Sequence, residues 1–170
     1  MVATRNGGAT WSRQRVDPDN LLTGVAFADS RHGWVVGPRG VVDAALLSTS
    51  DGGTTWFSQR APTGESLYGV GFADAVHGWA VGVGSIFATS DGGASWRAQR
   101  PGTANELDGV AFSDARHGWA VGDLGTILAT SDGGGTWVRQ YTKSRDALVA
   151  VAVSSPAPDG GAASPLAESQ

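Results

Sequence analysis

Thr89-Ser90-Asp91-Gly92-Gly93-Ala94-Ser95-Trp96 recurs along this chain with small changes. The other copies are Thr49-Ser50-Asp51-Gly52-Gly53-Thr54-Thr55-Trp56, Thr130-Ser131-Asp132-Gly133-Gly134-Gly135-Thr136-Trp137 and a weaker Thr4-Arg5-Asn6-Gly7-Gly8-Ala9-Thr10-Trp11. A second motif lies between them: Asp29-Ser30-Arg31-His32-Gly33-Trp34, Asp74-Ala75-Val76-His77-Gly78-Trp79 and Asp114-Ala115-Arg116-His117-Gly118-Trp119. All seven tryptophans and all three histidines fall in these two motifs. From the Asp (or Asn6) of a box to the next histidine is always 26 residues, whereas box to box is 45, 40 and 41. The length variation therefore sits between the histidine turn and the following box.

A repeat of this length, about 40 residues with four short β-prone runs in each copy, is the pattern of propeller blades. In the middle repeat, residues 67–72 read as strand A, 79–83 as B, 85–89 as C and 95–100 as D. Strand A, as in Leu67-Tyr68-Gly69-Val70-Gly71-Phe72, is apolar on both faces, which suits a sheet sandwiched between two neighbours. The expected fold is all-β: blades of four antiparallel strands at about 21–60, 66–100 and 106–141, with a box and strand D at 4–16 and a lone strand A at 148–153. The boxes and histidine turns then share one face of the disc. The extra residues of the first blade, around Pro38 to Asp43, enter its B–C hairpin on the other. Residues 154–170 are small, polar and aperiodic, and are expected to be a disordered tail after a partial propeller domain at 1–153. Closed propellers need about four to eight blades, so a piece of a larger ring, or a truncated structural repeat, is one reading of this count.

The 170 residues (17.3 kDa) carry 26 glycines, no cysteine and a net charge of −4. Absence of cysteine removes disulfides, thiolate metal sites and a thiol nucleophile, and the acidic balance gives no reason to expect a nucleic-acid partner. Residues 1–7 lack the apolar stretch of a secretory signal, and no run of about 18 apolar residues occurs. No targeting segment and no direct membrane insertion are expected.

The box aspartates Asp51, Asp91 and Asp132 and their partners Trp56, Trp96 and Trp137 are read as structural: in Asp-Gly-Gly the carboxylate accepts the N–H groups of its own turn and glycine supplies positive φ. One carboxylate per blade leaves the aspartates well apart, whereas glycosidase chemistry requires two within about 5 to 9.5 Å. The histidines, each three residues after an aspartate, read as turn residues, and no metal and no cofactor is expected. Sialidase-type chemistry requires an arginine cluster, an activated tyrosine and an acid aspartate; neither Tyr68 nor Tyr141 has an evident glutamate partner in the sequence. No catalytic residue is assigned. Strand D carries the notable charges, in Trp11-Ser-Arg-Gln-Arg15, Trp56-Phe-Ser-Gln-Arg60, Trp96-Arg-Ala-Gln-Arg100 and Trp137-Val-Arg-Gln-Tyr141. Period-two alternation puts Arg15, Arg60 and Arg100 on the side of their tryptophans. These three and Tyr141 are the candidate binding residues, suited to acidic side chains or a protein carboxy terminus; the alternative is a charged edge strand that repels other strands.

The boxes resemble the Asp-box (BNR-like) repeat of sialidases, the sortilin receptor and xyloglucan-cleaving glycosidases. The fuller pattern, Leu-x-Gly-Val-x-Phe, Asp-x-x-His-Gly-Trp-Ala-Val-Gly, then Ala-Thr-Ser-Asp-Gly-Gly-x-x-Trp and a trailing Gln, is most similar to the photosystem II assembly-factor-like family over residues 4 to about 153. That resemblance implies a seven-bladed, non-enzymatic scaffold outside the cytoplasm (periplasm, thylakoid lumen or secreted) that acts on newly made membrane-protein subunits. The chain departs from it by lacking a signal peptide and more than half the blades. A carbohydrate-binding or glycoside-hydrolysing Asp-box propeller is the alternative function. The apolar flanks of the first and last blades are expected to drive self-association.

Overall fold

The computed structural model describes residues 1–14, 16, 21–39 and 44–154. Arg15 and the tail from residue 155 onward lie outside the described residues, as does the 40–43 segment of the first B–C hairpin. Among the described residues, fourteen strands run in chain order: β1 (Val2–Ala3), β2 (Ser12–Arg13), β3 (Gly24–Phe27), β4 (Gly33–Arg39), β5 (Ala44–Thr49), β6 (Phe57–Ser58), β7 (Leu67–Phe72), β8 (Gly78–Gly82), β9 (Ser85–Thr89), β10 (Arg97–Gln99), β11 (Leu107–Phe112), β12 (Gly118–Gly122), β13 (Thr126–Thr130) and β14 (Val138–Gln140). Strands β3 to β14 form three four-stranded antiparallel sheets, β3-β4-β5-β6, β7-β8-β9-β10 and β11-β12-β13-β14, each meandering in sequence order. These are blades 1, 2 and 3 of a partial propeller, with the A-to-D order read from the repeat.

The ends differ from the sequence reading. The N-terminal piece is a hairpin, because β1 pairs with β2 in the register Val2↔Arg13 and Ala3↔Ser12; it supplies strands C and D of a preceding blade, where strand D alone was expected. Two residues are too short a run for apolar periodicity to reveal. At the other end, residues 148–153 form no strand, although they occupy the place of strand A. The Asp146 carbonyl accepts from Gly125 N–H (2.9 Å) as Asn105 does from Gly84 N–H (3.0 Å), and Leu148 N–H donates to the Gly122 carbonyl. Among the described residues, no strand pairs with it.

The core lies between blades rather than within them. Between blades 1 and 2, Trp34, Val36 and Leu46 of one meet Leu67, Val70, Ala80 and Phe87 of the other. Between blades 2 and 3, Trp79, Val81 and Ile86 meet Leu107, Val110, Ala120 and Leu128. Because both faces of the middle sheet are covered, Leu67, Ala80, Val81 and Ile86 are each fully buried, as the continuous apolar runs require. The first flank is only partly covered: Val25 is 57% exposed, against 7% for its counterparts Val70 and Val110.

Candidate functional site: the box turns and the outer rim

Each box is held by a threonine two residues before its aspartate. Thr89 Oγ1 donates to Asp91 Oδ1 at 2.8 Å and accepts the buried Gly93 N–H at 2.9 Å. Asp91 then accepts Ser95 N–H at 2.9 Å and Ser95 Oγ at 2.5 Å. The same arrangement ties Asp51 to Thr49 and Thr55 and Asp132 to Thr130 and Thr136. Asn6 reproduces it with neutral groups, accepting Thr10 N–H at 2.9 Å. The glycines after the aspartate, at φ near +70° and +87° for Gly92 and Gly93, take a turn that L side chains avoid. The buried threonines were not singled out in the sequence, although one stands two residues before the aspartate or asparagine in every copy.

The histidine turns are built alike. Asp29 Oδ1 accepts His32 N–H at 2.7 Å while Oδ2 lies 2.8 Å from His32 Nδ1, and His77 with Asp74 and His117 with Asp114 repeat the pair. Box and histidine turn are joined within each blade: Gly52, Gly92 and Gly133 donate to the carbonyls of Arg31, Val76 and Arg116. Every acceptor bond stabilises the ionised carboxylate. Asp51 and Asp91 are lowered to about 2, first by the Thr55 and Ser95 hydroxyls and then by the N–H groups of the same residues. Asp29 and Asp114 are lowered to about 2, first by the His32 and His117 rings. Among the described residues no group of three or more His, Asp or Glu converges to hold a metal ion.

Boxes also clasp adjacent blades. Trp34 Nε1 donates to the Gly92 carbonyl and Trp79 Nε1 to the Gly133 carbonyl, both at 3.0 Å across 58 and 54 residues of sequence. The two indoles stack on Phe72 and Phe112 of the next blade at 3.5 and 3.4 Å, and the box tryptophans Trp96 and Trp137 meet those phenylalanines edge-on. Gln99 completes the second clasp, donating to the Gly133 carbonyl (2.9 Å) and accepting from Trp137 Nε1 (3.0 Å). In blade 1 the Trp56 indole nitrogen is buried without a partner, while Gln14 turns to Ser12 instead.

Arg60, Arg100 and Tyr141 each follow the last strand of a different blade. Arg60 is exposed and lines a groove of about 470 Å³ with Ala61, Pro62, Thr63 and Gly64 of its own D-to-A link, and with Ala94, Ser95 and Trp96 of blade 2. Trp96 of the next blade thus shares this groove with Arg60; β6 ends at Ser58, two residues before Arg60. Arg100 is exposed just past β10, and Tyr141 just past β14 is 91% exposed.

One constellation was missed. Tyr68, without an evident glutamate partner in the sequence, lies near the Glu106 carboxyl together with Asp108. Burial first, then the charges of Asp108 and Asp123, push Glu106 up; burial and Asp123 push Asp108 up. The sequence signal was Asp108 itself, a charge at a strand A position held elsewhere by Thr23, Tyr68 and Val149.

Residues 3–68 match the family described as Photosynthesis system II assembly factor YCF48. No curated protein sequence matches the chain. Among solved structures, a YCF48 bound to a D1 peptide superposes with a TM-score of 0.66 at 27% identity, covering 76% of this chain and 44% of that one. YCF48 from Cyanidioschyzon merolae gives 0.65 at 26% identity, covering 78% and 41%. An ancestral GH74 enzyme gives 0.61 at 12% identity over 78% of this chain and 20% of that one, a likeness of fold alone. The chain spans less than half the length of the YCF48 structures it matches. It is a β-propeller chain, with Asp-box repeats, related to the photosystem II assembly factor.

Proposed function

We propose that the chain is a non-enzymatic, protein-binding scaffold, and that its rim arginines Arg60 and Arg100, with Arg15 and Tyr141, receive an acidic segment or the carboxy terminus of a membrane-protein subunit. The observation that carries this reading is the groove between blades 1 and 2, where an exposed guanidinium stands over the same cavity as Trp96. A guanidinium grips a carboxylate with two parallel N–H bonds, and an indole gives a broad apolar surface for the residues preceding it. The box and histidine-turn aspartates offer little acid–base chemistry, since each is committed to hydrogen bonds within its own turn. Support also comes from the likeness to a YCF48 that is bound to a D1 peptide.

The test is fluorescence anisotropy with a D1 peptide bearing a free carboxylate, its amidated form and an unrelated peptide of equal charge. The Arg60→Ala, Arg100→Ala double variant should bind about tenfold more weakly or worse, the loss of one or two charge-assisted bonds. Its thermal midpoint should move by no more than about 2 °C, because exposed edge charges contribute little to stability. Unaltered affinity would return the arginines to the role of a repellent edge.

A further inference from the structure

We propose that Ser48 is a positioning residue for the groove between blades 1 and 2: it holds Gln59 inside its own sheet, so that Trp96 stays free to face a peptide. This deepens the peptide-binding reading above and rests on it. The two interfaces between complete blades follow one plan but differ at a glutamine. Between blades 2 and 3, Gln99 reaches across to the next blade's box, where its Nε2 donates to the Gly133 carbonyl (2.9 Å) and its Oε1 accepts from Trp137 Nε1 (3.0 Å). A Cβ on Gly134 would collide with that amide, and Trp137 is only 9% exposed.

Gln59 holds the same place in blade 1 and makes neither bond. Its Nε2 donates instead to Ser48 Oγ at 2.9 Å. The Trp96 indole turns to its own box, donating to the Gly93 carbonyl at 3.1 Å, and stays half-buried as a wall of the groove beside Arg60. A Cβ on Gly93 would meet Trp34 and Trp96, where the one on Gly134 meets the glutamine.

One hydroxyl separates the two cases. Gln59 N–H donates to the Leu46 carbonyl (2.8 Å), and Ser48 lies two residues along β5 from Leu46. The side chains of Ser48 and Gln59 therefore share a face of the sheet. The equivalent positions in the other blades are Ala88 and Ala129, and a methyl group offers an amide no acceptor. Gln99 thus finds both its partners on the neighbouring blade. In Ser48→Ala, Gln59 would take the same pose, with Nε2 on the Gly92 carbonyl and Oε1 on Trp96 Nε1. The receiving geometry is in place, because Gly92 already accepts from Trp34 as Gly133 does from Trp79. Trp96 would then be covered as Trp137 is, and the groove would lose its indole wall.

Titration of the D1 peptide with a free carboxylate against the parent, Ser48→Ala, and Ser48→Ala combined with Gln59→Ala tests this. The single variant should bind about tenfold more weakly, as when an aromatic anchor is withdrawn from a site. Removing Gln59 as well should restore affinity to within about twofold of the parent, the usual scatter for uncoupled changes. A merely structural role for Ser48 would not be rescued by deleting a second side chain. The indole N–H resonances give a readout that needs no peptide: in Ser48→Ala the Trp96 signal should shift, and its exchange with solvent should slow toward that of Trp137. Equal affinity of the parent and Ser48→Ala, or a double variant that stays weak, would overturn the proposal. If the parent does not bind the peptide, the binding reading falls by itself. The Trp96 signal then decides the role of Ser48: a shift supports it and an unmoved signal overturns it.

Discussion

Thr89 shows how a single hydroxyl holds a turn. It is 5% exposed and serves both a carboxylate and a buried glycine N–H, so its loss leaves that N–H without an acceptor. Thr89→Val keeps the shape and removes only the oxygen. An orphaned buried donor costs about 1–3 kcal/mol, and the urea midpoint should fall accordingly at unchanged slope. A loss under about 0.5 kcal/mol, below the usual worth of one hydrogen bond, would show that the aspartate and glycines hold the turn unaided. The aspartate's role was legible in Asp-Gly-Gly because its bonds close within the turn itself. The threonine's was equally local, yet a threonine in a β-prone run reads as an ordinary strand end.

At the scale of the strand, the glycines of strand A set how closely blades converge. A Cβ on Gly69 would lie 2.6 Å from the Asp108 carbonyl oxygen, and one on Gly71 would lie 2.7 Å from the Val110 carbonyl oxygen. Both obstacles are backbone atoms of the next blade, which cannot swing aside as a side chain would. Gly69→Ala should therefore destabilise the protein by about 1–3 kcal/mol, as overpacking does, measured by urea unfolding against the parent chain. A neutral result would mean that the inner strands can spread. The sequence reading placed strand A in a sheet sandwiched between two neighbours. It could not say that the crowding atoms are carbonyl oxygens of the following repeat, because strand spacing is settled by blade packing.

For the whole molecule, the repeated turns set the response to acid. Six aspartates, Asp29, Asp51, Asp74, Asp91, Asp114 and Asp132, have lowered folded-state values. Four of these fall from 3.8 to about 2. A depressed carboxylate contributes stability that is complete above its unfolded value and is lost as pH falls through the folded one. Glu106 and Asp108 are shifted upward and act in the opposite sense, gaining on acidification, but they are two against six. The urea midpoint should hold between pH 7 and 5 and drop steadily from about pH 4 toward 2. A midpoint that rises over that lower range would show the Glu106–Asp108 repulsion to be the larger effect.

By itself, the sequence determined the blade repeat, the meander of four strands and the turns that begin and end them. Those features rest on bonds between near neighbours in the chain and on the alternation of short apolar runs, both of which lie within a single repeat. Only the tertiary structure decided what happens between repeats. The clasps of Trp34 and Trp79 on the next blade's box, the groove that gives Arg60 a foreign tryptophan and the meeting of Tyr68 with Glu106 all join one repeat to the next. So did the fate of the ends, where β1 found β2 but residues 148–153 did not become a strand. A strand exists only when a neighbour accepts its hydrogen bonds, and a run of Leu-Val-Ala-Val-Ala-Val carries no record of whether that neighbour is there.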